Sequence, residues 1–152
     1  TSHKIYSEAE LHARYEIMLE NYCKVLRIEA LTMLDMVSTD ILPAVSDYTA
    51  TLMKTGAEKR SLLGESYGGY EMKTASRLAE LTDAASMDAS KLDEALLQAG
   101  EEADAELAAK FYQAVVFKDM TELRLTVDEM ETLTSRACWP YPSYGELMFS
   151  VR

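Results

Sequence analysis

Histidine is the side chain most often recruited for chemistry near neutral pH, and this sequence has two, His3 and His12. A di-iron carboxylate site in a helical bundle needs Glu-x-x-His on two helices and two further inward glutamates. Neither histidine has a glutamate three residues before it, so that chemistry is ruled out. His12 stands four residues from both Glu8 and Glu16, on one helical face, a spacing that offers a metal two ligands; ordinary charge pairs on a solvated face explain it better. Neither Cys23, Cys138 nor any serine has a histidine placed to activate it as a nucleophile. Gly64-Glu65-Ser66-Tyr67-Gly68-Gly69 is not followed by the Lys-Ser/Thr of a phosphate loop. Glu29 and Asp35 interrupt an apolar run and can line a site, but the polar flank of a helix is the simpler place for them. The expectation is a chain with no catalytic, cofactor-binding or metal residues of its own.

Charge narrows the partners. Twenty-six acidic against fifteen basic residues give a formal net charge of −11. Such a surface repels phosphate backbones and anionic lipid, so neither nucleic acid nor membrane is expected as a partner. The two cysteines lie far apart with no CxxC spacing, which reads as reduced thiols in a cytoplasmic protein. The most apolar stretch, residues 30–37, is short and carries Asp35, so no spanning helix is expected. The sequence opens Thr1-Ser2-His3 without an initiator Met, which reads as a piece of a longer polypeptide.

Such residues need elements to hold them. A hydrophobic content of 48% is enough for a core, and only six Gly and three Pro interrupt the chain, which favours few, long helices. Helix 1 is expected over about 8–54, starting at the capping box Ser7-x-x-Glu10. Its apolar stripe is Leu11, Tyr15, Met18, Tyr22 and Val25, continuing through Ile28, Leu31, Leu34, Ile41, Val45, Tyr48 and Leu52. Pro43 lacks an amide hydrogen and crowds the Thr39 carbonyl, which predicts a kink. Residues 55–69 are expected as a loop. Helix 2, about 70–99, carries Leu78, Leu81, Ala85, Leu92, Leu96 and Ala99, with Gly100 as a left-handed terminator; the other reading is one helix running through Gly100. Helix 3, about 101–135, has the heptad Val116, Met120, Leu123, Val127, Met130 and Thr134, and a second stripe of Leu107, Phe111, Ala114 and Leu125. The fold class is all-α: a single domain, an elongated antiparallel three-helix bundle with a very long first helix.

The tail, residues 136–152, is different. Prolines 140 and 142 hold it extended, Ser143 and Glu146 are placed to cap a short turn, and Trp139, Tyr141, Tyr144 and Phe149 are too apolar to leave uncovered. Helix lengths leave a second apolar surface. An antiparallel helix 2 reaches back only to about Tyr22, so Leu11, Tyr15, Met18 and Tyr22 overhang. These eight side chains form the candidate interaction surface.

Several stretches resemble a known family. His12-Ala13-Arg14-Tyr15-Glu16-Ile17, Ile28-Glu29-Ala30-Leu31-Thr32-Met33, Ile41-Leu42-Pro43-Ala44-Val45 and Trp139-Pro140-Tyr141-Pro142-Ser143-Tyr144-Gly145-Glu146-Leu147 resemble the C-terminal region of type III glutamine synthetases. The resemblance covers nearly the whole chain and is weakest over about 55–90. It implies a parent enzyme that ligates ammonia to glutamate with ATP and Mg2+ in domains upstream. It also implies an appended helical domain that contacts the upstream catalytic domain and neighbouring subunits of a homo-oligomer. The other reading is a free-standing helical protein–protein interaction module.

Overall fold

In a computed structural model, residues 7–142, 146 and 148 are described. Among them there is no strand, and the helices form three rods. The first rod begins where the capping box places it. The Ser7 amide donates to the Glu10 carboxylate at 2.7 Å and the Glu10 amide to the Ser7 hydroxyl at 3.3 Å. These contacts satisfy amides that the first helical turn leaves free.

Helix α1 (Glu8–Asp35) passes without a break through a π-turn, Met36–Ile41, into α2 (Leu42–Leu63). The π-turn lies just ahead of Pro43, whose missing amide hydrogen and crowding ring remove the regular bond to the turn before it. The Leu42 amide reaches five residues back, to the Val37 carbonyl. A π-turn holds an extra residue, and at 3.6 residues per turn that steps the side-chain faces round by about 100°.

This step corrects the stripe expected on helix 1. Its later part is buried as expected, with Ile41, Val45 and Leu52 in the core. Before the π-turn Leu26 and Ala30 fill the core instead, joined by Val37 inside it, while Val25, Ile28 and Leu31 are exposed. One stripe read straight through the π-turn therefore mixes two faces.

The loop expected over 55–69 is mostly helix: α2 runs on to Leu63. Gly56 lies buried inside α2 because another backbone passes over it. A β-carbon on Gly68 would stand 2.6 Å from the Gly56 carbonyl oxygen, and one on Gly56 3.2 Å from the Glu71 Cβ. Gly68 itself sits at φ 76°, a left-handed position favouring glycine. Gly64 (φ 110°) ends α2, and Gly68 opens α3 (Gly69–Glu101). Beside this glycine pair Lys59 forms an ion pair with Glu71, whose carboxylate is held below its usual range chiefly by that hydrogen bond.

Gly100 does not terminate α3 in a left-handed conformation; among the described residues only Gly64 and Gly68 have positive φ. The helix continues to Glu101, and Glu102 is extended. Asp104 then starts the third rod by accepting from the amides of Glu106 at 2.8 Å and Leu107 at 3.0 Å. That rod is α4 (Ala105–Phe111), a second π-turn (Tyr112–Val116) and α5 (Phe117–Leu133).

Leu78, Leu92, Leu123, Met130, Val37, Val45 and Val116 are fully buried. α2 packs along α3, α3 along α5, and α4 against α1. The stripe expected on helix 2 and most of the heptad on helix 3 are in this core. In the second stripe of helix 3, Leu107 and Leu125 are exposed instead, because α3 and α1 meet only one side of the rod. Trp139 and Tyr141 pack half-buried against the core.

Candidate interaction surface

The N-terminal half of α1 carries a row of exposed apolar side chains. Leu11, Tyr15, Met18 and Tyr22 are 55%, 51%, 70% and 41% exposed, and with Val25 they lie along one helical face at steps of four and three. The hairpin between α3 and α4 comes up beside this stretch, where Ala103, Asp104, Ala105 and Glu106 border a polar depression with His12, Tyr15 and Glu16. His12 faces Glu16 at 3.4 Å, both exposed. Among the described residues no group of three or more His, Cys, Asp or Glu is placed to hold a metal ion.

Further along the same helix face, a groove of about 390 Å³ opens between the first and third rods. Met33, Met36, Val37, Leu123 and Val127 form its apolar lining, and Glu29 and Arg124 are its charged members. Arg124 has Asp128 at 3.7 Å. Below it the tail is tied to the π-turn: the Tyr141 hydroxyl donates to Asp40 Oδ2 at 2.6 Å. That bond, with partial burial and the carboxylate charge, pushes the phenol up to about 12.

Thus the four sequence-identified residues of helix 1 remain on an open face, while Trp139 and Tyr141 lie against the core at a separate place. Tyr144 and Phe149 lie outside the described residues, as does Ser143 of the expected cap. Of the groove residues, the sequence singled out Glu29 alone as able to line a site, although the steady four-three spacing from Leu11 takes in Thr32 and Met36 as well. No helix among the described residues is long and apolar enough to cross a membrane.

These features describe a chain that is helical and without strands among its described residues and presents a row of exposed apolar side chains along α1. The sequence model of the glutamine synthetase C-terminal domain matches residues 1–60, the stretch that holds this face. A glutamine synthetase of Butyrivibrio fibrisolvens is 36% identical over the whole chain, and a type-3 glutamine synthetase of Dictyostelium discoideum is 28% identical over 95% of it. A glutamine synthetase of Bacteroides fragilis is 25% identical over 97%. The chain is a relative of the glutamine synthetase C-terminal domain, type III members included. It spans about a fifth of the length of these relatives: 22%, 20% and 21%.

Proposed function

We propose that this chain is the non-catalytic C-terminal helical domain of a cytoplasmic glutamine synthetase, serving subunit assembly or stability. In this reading it is an elongated antiparallel three-helix bundle closed by its aromatic tail. ATP and Mg2+ are handled by upstream domains, where ammonia is joined to glutamate. The observation that carries the reading is the match of nearly the whole chain to only a fifth of each relative, combined with the exposed apolar row Leu11, Tyr15, Met18, Tyr22 and Val25. Most of the relatives' length is thus available to hold the active site and cover that face.

The test compares the complete enzyme with a version lacking this domain. Loss of the native oligomer mass in light scattering, with ligase activity falling in parallel, is the expected result. The isolated domain, given ATP, glutamate, ammonia and Mg2+, is expected to release no phosphate above buffer. Turnover that tracks the purified domain, or an unchanged oligomer without it, overturns the reading. A reading frame that encodes no synthetase part would favour the free-standing interaction module, which the same apolar face also suits.

A further inference from the structure

The face that carries Leu11, Tyr15, Met18, Tyr22 and Val25 does not end at Val25. The same steps of four and three continue through Glu29, Thr32 and Met36. That 3.5-residue repeat is the one by which a helix receives another helix, knob into hole. α1 is unbroken over this stretch and Met36 still has helical angles, so the eight positions line up along about 38 Å. Neither of the other rods covers the first seven, which are all exposed. At the far end the seam enters the groove, where Leu123 and Val127 of α5 form a second wall.

Glu29 is the single charge in the seam, and it has no ion pair or hydrogen bond among the described residues. We propose that this seam is the docking site for an amphipathic helix from elsewhere in a longer polypeptide, apolar at 3.5-residue spacing and carrying Lys or Arg opposite Glu29. The proposal rests on the reading of the chain as one domain of a glutamine synthetase. Three observations favour that occupant. The relatives are about five times longer than the matched stretch, so most of such a polypeptide lies outside it. The repeat suits a helix rather than a strand or a small ligand. A second copy is a poor occupant, because the seam contains no cation and Arg124, which lines the groove with Glu29, is already paired with Asp128. Antiparallel pairing sets Glu29 against Leu11, Met18, Val25 or Thr32, and parallel pairing sets it against itself. A carboxylate buried without a counter-charge is strongly disfavoured.

Two measurements test this. In sedimentation equilibrium the 152-residue chain is expected to stay monomeric at about 100 µM, while Glu29→Leu, at an exposed position that leaves the fold intact, associates at least about tenfold more tightly. A wild type that dimerises and photo-crosslinks to itself from position 18 overturns the proposal in favour of a second copy. In the complete polypeptide, a photo-crosslinking residue replacing Met18 is expected to label a peptide outside these 152 residues, with Glu29→Lys lowering the yield at least about fivefold. The control carries the crosslinker at Leu97, exposed on α3. Labelling confined to the 152 residues rejects the seam. Labelling from Leu97 alone also rejects it, yet leaves the assembly role standing.

Discussion

Tyr141 and Asp40 are 101 positions apart, and nothing in the local sequence announces their hydrogen bond. The capping box at Ser7 was legible because both partners lie within one turn. Removing the phenol oxygen in Tyr141→Phe is expected to lower stability by about 1 kcal/mol, the usual net worth of such a bond. Because the folded-state value is raised to about 12 from about 10 unfolded, this contribution is complete below about pH 10. It is lost as pH climbs through about 12. Urea melts should show the variant losing less stability than the wild type across that alkaline window. A second long-range contact joins the rods. Arg77 grips Glu129 with two bonds, 2.7 and 2.9 Å, and also reaches Glu80 at 3.0 Å. The Arg77 hydrogen bond holds the Glu129 carboxyl below its usual range. Its contribution is therefore present above the unfolded carboxylate value and fades as pH falls through the lowered folded one. Arg77→Lys keeps the charge and loses the fork, so it should melt earlier at neutral pH and lose less on acidification, as followed by circular dichroism.

At the scale of elements, glycines were read as stops, and only some of them are. Gly56 is a contact glycine inside a helix, and its partner Gly68 fixes where α3 starts. Gly68→Ala places a methyl against the Gly56 carbonyl and strains a left-handed backbone, and is expected to cost more than about 2 kcal/mol. Gly100→Ala meets only the flexible end of Arg27, at 3.4 Å. It should stabilise by about 0.5–1 kcal/mol, since alanine is the better helix former. Equilibrium denaturation of the two variants gives opposite signs if the helix runs through Gly100 and the chain crosses at Gly68. The buried stripes of the second and third rods were legible in advance because their apolar residues keep a steady helical period. A glycine that yields to another backbone and a glycine that ends a helix are the same letter, and only the packing separates them.

For the whole molecule, helix lengths pointed to an overhang at the start of α1, whereas the α3–α4 hairpin lies beside His12 and Tyr15 and the row of exposed side chains runs on through Glu29 and Thr32. The lengths did not announce that this row is a continuous seam reaching the groove. Of the aromatic tail, Trp139 and Tyr141 pack against the core. Truncation before residue 138 is expected to lower stability by about 2–4 kcal/mol, from the aromatic surface it uncovers and the lost Tyr141 bond, while far-ultraviolet dichroism keeps its helical shape. The first rod was misread because periodicity assumes a uniform winding, and the π-turn at Met36–Ile41 breaks it. That turn makes the two halves of the rod behave like a shaft with an offset coupling. Deleting one residue within it shortens the rod by only about 1.5 Å but turns everything upstream by about 100°. Leu11 to Val25 would then swing away from their present bearing, and Leu26 and Ala30 would leave the core. The smallest possible length change, made in a stretch with no reactive group, would re-aim an entire surface.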